Sequence, residues 1–122
     1  MSDAAAEAVP EVDFATFLKL DIRCGLIIEA APYPEARNPS IKLKIDFGPS
    51  IGIRQSSAQL TRHYTPATLV GTEVMAVVNF PPRRIAGFPS QVLVLGAIAA
   101  DDPGDVVLIR PDHPGTQGRR LG

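Results

Sequence analysis

Twelve prolines punctuate a chain of 122 residues, and their placement constrains the fold more than any other feature. Proline fixes φ and lacks an N–H, so neither a helix interior nor a central sheet ladder tolerates it. Only Pro81 and Pro82 are adjacent. Most of the others separate short apolar runs, as in Ala31-Pro32-Tyr33-Pro34, Asn38-Pro39, Gly48-Pro49, Thr65-Pro66, Phe88-Pro89, Asp102-Pro103 and Arg110-Pro111. Many short elements suit an all-β domain. Apolar residues make up 45% of the chain and charged residues 20%, which excludes a disordered polymer and suffices for a core.

The runs between the prolines alternate with period two, the signature of half-buried strands. Ile22, Cys24, Leu26 and Ile28 share one face and are assigned inward; Arg23, Gly25, Ile27 and Glu29 share the other. Gly25 inside that run predicts a bulge or sharp coil of the kind a closing barrel needs. Ile41, Leu43, Ile45 and Phe47 alternate with a solvated Lys42, Lys44 and Asp46. Ile51 and Ile53 mark a third strand. Residues 73–80 form a buried fourth strand, 91–97 a fifth and 106–109 a short sixth. Pro81 to Pro89 is expected to be a long loop. Ser56 and Gln59 have the spacing of a capping box, which predicts a helix over 57–63, ending near His63. A second short helix is expected after Asp13, with Phe14, Phe17 and Leu18 on one face. Residues 1–12 are expected to be a flexible arm and 113–122 an irregular tail, flanking a domain at 13–112. Five principal strands with one helix between the third and fourth is the order of a Greek-key OB-fold barrel. The predicted fold is thus all-β with short helices, plus N- and C-terminal extensions.

Charge and chemistry narrow the function. Asp3, Glu7, Glu11 and Asp13 put four acids at the start of the chain, whereas residues 37–84 carry seven bases against Asp46 and Glu73. A single cysteine excludes a disulfide framework and a multi-cysteine metal site. Cys24 is expected to be a small buried hydrophobe. No run is long enough to span a bilayer and no signal-peptide pattern opens the chain, so the expected location is the cytoplasm. His63 and His113 stand far apart. Asp101, Asp102 and Asp105 lack the remaining spacing of a cation loop and are expected to be a solvated turn. No nucleophile–base pair, P-loop or zinc motif is present. The expectation is a protein that is not an enzyme and needs no metal or cofactor.

One stretch stands out, Val77-Val78-Asn79-Phe80-Pro81-Pro82-Arg83-Arg84-Ile85-Ala86-Gly87-Phe88-Pro89-Ser90-Gln91. Adjacent arginines on a proline-stiffened loop either face an anionic partner or are pinned to carboxylates of the chain itself. Asp21-Ile22-Arg23-Cys24-Gly25-Leu26-Ile27 resembles the D-I-R-x-G-x-I opening of the bacterial tRNA-binding domain family. That family includes an appendix of methionyl-tRNA synthetase and a module of the phenylalanyl-tRNA synthetase β chain. Tyr33 to Arg37, Ile45 to Gly48, Gln55 to Gln59 and Val77 to Phe88 are similar to a small secretion-related chaperone branch of the family. The likeness runs over residues 13–112. Ser90-Gln91 matches the family pattern, but Val92-Leu93 stands where tRNA-binding members carry Gly-Met.

The resemblance implies OB-fold homodimers that bind unfolded preproteins and serve the export machinery. It implies an interface built from N- and C-terminal elements, for which the candidates are Phe14, Phe17 and Leu18 on the short helix and Val106 and Leu108 on the sixth strand. It also leaves open the alternative of tRNA or structured RNA on a basic face. Arg83, Arg84 and Asn79 are the expected polar contacts, with Ser90 beside them. Phe80 and Phe88 are the apolar candidates. Arg23, outward by alternation, either lines the same face or pairs with Glu29 or Asp46.

Overall fold

In the computed structural model, which describes residues 8–122, the alternation of Ile41, Leu43 and Ile45 becomes strand β2 (Ile41–Asp46), with all three side chains buried. β2 pairs antiparallel with β1 (Ile22–Pro32) on one side and β3 (Ile53–Ala58) on the other. The chain then crosses through a short helix, here called α2 (Pro66–Leu69), because α1 (Phe14–Leu18) precedes β1. It returns as β4 (Glu73–Val77) beside β1, and β7 (Leu93–Val94) pairs with β4. The sheet order is β3-β2-β1-β4-β7. Bent round on itself, this five-stranded sheet is a nearly closed OB-fold barrel, as the sequence pattern predicts. Two hairpins accompany it: β5 (Arg83–Ile85) with β6 (Phe88–Ser90), and β8 (Gly96–Ala99) with β9 (Asp102–Leu108).

Side chains close the seam between β3 and the segment leading into β7. The Gln91 backbone N–H donates to the Gln55 carbonyl at 2.9 Å, and the Gln55 N–H donates to Gln91 Oε1 at 2.9 Å. The Ser57 N–H donates to Ser90 Oγ at 3.0 Å, and Ser56 Oγ donates to the Val92 carbonyl at 3.0 Å. These bonds explain why residues 57–63 are not a helix. Ser56 and Ser57 are spent across the seam, so β3 runs on to Ala58. The helix forms later, where Thr65 and Thr68 make a reciprocal capping box and Pro66 opens the first turn. Proline suits that position because its missing N–H would have had no partner there. Leu69 from this helix is fully buried in the barrel core with Phe47, Ile27 and Val74.

Four further expectations are corrected. Cys24 is buried but lies outside the core cluster, whereas Ile27 and Gly25 face inward. Gly25 is required there by contact: a Cβ would lie 2.6 Å from both Ile45 Cγ2 and Phe47 Cε1. Residues 81–89 are not an open loop. Ala86 (φ 48°) and Gly87 (φ 85°) form a two-residue turn between β5 and β6, the positive-φ pairing that matches strand twist. The fifth and sixth strands regroup, with 91–97 breaking into β7 and the start of β8, and the sixth lengthening into β9. Ile53 is also exposed, because buried Ser56 takes the inward place on β3.

The C-terminal segment is a docked extension. Gly118 donates to the Cys24 carbonyl, the Cys24 N–H to Arg119 and the Leu121 N–H to Ile22, continuing the sheet along the part of β1 that β2 leaves uncovered. Glu73 anchors it, accepting from the Thr116 N–H and hydroxyl and from the Gly115 N–H at 2.9–3.0 Å. At the other end, Asp13 caps α1 by accepting from the Thr16 N–H at 2.9 Å.

Two predictions follow from these contacts. Gly25→Ala overpacks the barrel and should cost about 1–3 kcal/mol, read as a lowered denaturation midpoint with an unchanged slope. The hydrogen bonds from Thr116, then Gly115, hold the Glu73 carboxyl below its ordinary 4.5. A depressed folded-state pKa favours the docked tail above the unfolded value and loses that contribution as pH falls through the folded one. The Thr116 amide resonance should therefore hold steady from neutral pH down to about 4.5 and shift only in more acid solution. In Glu73→Gln that titration step should vanish.

Candidate binding groove

The β5–β6 hairpin is pinned over the β1–β2 end of the barrel by Tyr33. Its hydroxyl donates to the Ile85 carbonyl and lies 3.1 Å from that of Ala86. Gln55 Nε2 donates to the Pro89 carbonyl at 3.1 Å from the other side. Between hairpin and sheet lies a groove of two adjoining depressions. The first, about 410 Å³, is lined by Tyr33, Glu35, Lys42, Ala86, Gly87, Phe88 and Pro89. The second, about 160 Å³, is walled by Ala30, Ala31, Leu43 and Phe88, with Glu29, Lys44 and Gln55 at its polar margin. Lys42 and Phe88 border both.

Lys42 is the centre of this arrangement. Its ammonium stands 4.4 Å from the Tyr33 ring centroid and 4.9 Å from that of Phe88, and the two rings meet edge to face at 5.5 Å. Each such contact is worth about 0.5–1 kcal/mol at a partly exposed site. Neighbouring Lys44 is compensated by Glu29 at 3.6 Å. Lys42 has no ion-pair partner among the described residues.

The site residues expected from sequence divide. Phe88 lines the groove. Arg84 donates to the Gly87 carbonyl at 2.8 Å and so holds the hairpin turn. The Arg83 side chain is exposed beside it and makes no hydrogen bond or ion pair among the described residues. Asn79 is committed elsewhere: its Oδ1 accepts from the Asp21 N–H and its Nδ2 donates to the Lys19 carbonyl, each at 2.8 Å. Ser90 serves the barrel seam. Phe80 is exposed outside the groove lining. Arg23 pairs with Asp21 at 2.6 Å and donates to the Gly118 carbonyl, so it belongs to the docked tail rather than the basic hairpin. Among the expected interface residues, Leu108 is core and Val106 packs on the core, leaving Val107 and Ile109 outward on that stretch. Phe14 and Leu18 are exposed, and Phe14 stacks on Phe17 at 6.0 Å.

Sequence reasoning missed Tyr33, Lys42 and Gln55 as groove residues. Tyr33 and Gln55 both stood inside matched motifs, which was the available signal. The Val92-Leu93 pair splits: Val92 is core packing and Leu93 is exposed. Two of the three aspartates near residue 102 have side-chain partners. Arg62 contacts Asp102 at 2.5 Å, and His63 contacts Asp105 at 2.6 Å. Among the described residues no cluster of His, Cys, Asp and Glu could hold a metal ion, and no helix is long and apolar enough to cross a membrane.

Residues 22–120 match the family described as "Putative tRNA binding domain". The chaperone CsaA of Bacillus anthracis superposes with a TM-score of 0.86 at 47% identity, covering 93% of this chain and 100% of that one. The CsaA chaperone of Picrophilus torridus gives 0.83 at 46% identity, covering 92% and 100%. The methionine–tRNA ligase of Porphyromonas gingivalis is 37% identical over 120 residues, 93% of this chain, but the chain spans only 17% of that enzyme's length. By sequence over most of its length, and by the barrel that sequence forms, the chain belongs to the tRNA-binding domain family.

Proposed function

We propose that the protein is a non-enzymatic, export-related chaperone of the cytoplasm that holds unfolded preprotein segments on a dimeric OB-fold. The observation that carries this reading is the groove, whose accessible apolar lining is Ala30, Ala31, Phe88 and Pro89, with Lys42 and Lys44 as its two bases. Apolar walls hold an unfolded chain by burying its side chains. The near-half identity to two CsaA chaperones over their whole length supports it. The exposed Val9, Val12, Phe14 and Leu18 give a second protomer an apolar arm to cover, and two protomers present two grooves to one client.

The family also supports a second reading, tRNA or structured RNA. The specific observation in its favour is Arg83, whose exposed guanidinium has no partner among the described residues. The two readings separate by salt, because phosphate contacts release counterions and apolar burial does not. A labelled unfolded preprotein segment should bind the purified protein with modest salt dependence, and bulk tRNA should fail to displace it at physiological salt. Tighter binding of tRNA, with a steep salt slope that joint replacement of Arg83 and Arg84 by alanine flattens, would overturn the chaperone reading.

A further inference from the structure

The groove holds one cation that nothing in the described structure neutralises. Lys42 is half-buried against two aromatic rings, which orient its ammonium but accept none of its three N–H donors in the manner of a carboxylate. The groove's other charges are placed differently. Glu29 is matched by Lys44, and Glu35 lies exposed on the wall of the first depression, out of ion-pair contact with Lys42. Beside Lys42 the second depression is aliphatic and aromatic. An oriented, unpaired ammonium next to an apolar cavity complements a ligand carrying an anion next to an apolar group.

We propose that Lys42 is the specificity-determining residue of the groove, selecting unfolded polypeptide segments in which an aspartate or glutamate neighbours an aliphatic or aromatic side chain. The apolar side chain enters the depression beside Ala30, Ala31 and Phe88, and the carboxylate accepts from Lys42 Nζ. A nucleic-acid phosphate would satisfy the same ammonium. The open surface beside it suits a peptide better: Tyr33 is 4% exposed, so its ring offers no free face for a base to stack on. This inference rests on the peptide-binding reading above and adds the class of segment chosen.

The test uses two labelled unstructured peptides that differ at one position, glutamate or glutamine beside a leucine, titrated into the full-length protein at physiological salt. Charge-assisted hydrogen bonding predicts about a tenfold tighter Kd for the glutamate peptide. Lys42→Met keeps the aliphatic stem over the rings and should erase the difference between the two peptides. Lys42→Arg should restore the preference. The wild-type comparison alone decides the matter if the methionine variant fails to fold. Equal binding of the two peptides to wild type overturns this inference and leaves peptide binding standing. Failure of both peptides to bind overturns both readings. Loss of oligoribonucleotide binding in Lys42→Met, with no peptide discrimination, assigns the ammonium to phosphate and overturns the inference.

Discussion

The seam between β3 and residues 89–92 governs the rest of the structure. Most neighbouring barrel strands join through regular backbone ladders, but here Gln55, Ser56, Ser90 and Gln91 supply much of the closure with side chains. Replacing a ladder by side-chain bonds frees the backbone just before Ser90 to leave the barrel. That departure is the β5–β6 hairpin. Because the seam fixes where the hairpin re-enters, it also fixes how far Phe88 stands from Tyr33 and Lys42. A seam made wholly of backbone bonds would hold the barrel as well, yet leave less room for a projecting hairpin, and the groove exists only because the hairpin projects.

The fold was legible wherever local pattern and tertiary demand agreed. β2 is the clearest case: Ile41, Leu43 and Ile45 alternate, and all three are core. Reading failed where a local signal met a distant competitor. Ser56 and Gln59 have helix-capping spacing, but Ser56 bonds to Val92 across the seam, and a buried hydroxyl with a partner outweighs a weak cap. The hairpin was hidden because Ala86 stands where such turns favour asparagine or glycine, and Pro89 interrupts its strand. Proline is tolerable there on so short a strand paired along one edge. For Cys24, alternation gives two faces without saying which is core. Only the close approach of Phe47 to Gly25 decides it.

The candidate site was harder to read, for a reason of geometry. Phe88, Arg83 and Arg84 are close in sequence and advertise themselves as a cluster. The groove partners of Phe88, Tyr33 and Lys42, lie about fifty residues earlier in the chain and meet it only once the barrel has closed. In the folded chain Arg84 is absorbed into its own turn, and the charge that faces the groove comes from a strand that looked merely solvated. Adjacent arginines are strong local signals, but a guanidinium with five donors is easily satisfied by nearby carbonyls. A lysine propped between two rings is a weak sequence signal and a strong structural one.

The termini follow a similar logic at the start of β1. Asn79 binds the Asp21 N–H and the Lys19 carbonyl, while Arg120 donates to the Leu18 and Leu20 carbonyls and approaches Asp21 at 3.6 Å. Arg23 pairs with the same carboxylate. Exposed ion pairs taken singly are worth little. Here two guanidiniums and an amide converge on one short stretch of backbone, so the end of α1, the start of β1 and the docked tail share a single set of partners. The exposed apolar face of α1 is therefore carried on a fixed support. A partner that covers Phe14 and Leu18 meets a surface whose orientation is already set, and the ordering cost of association falls accordingly.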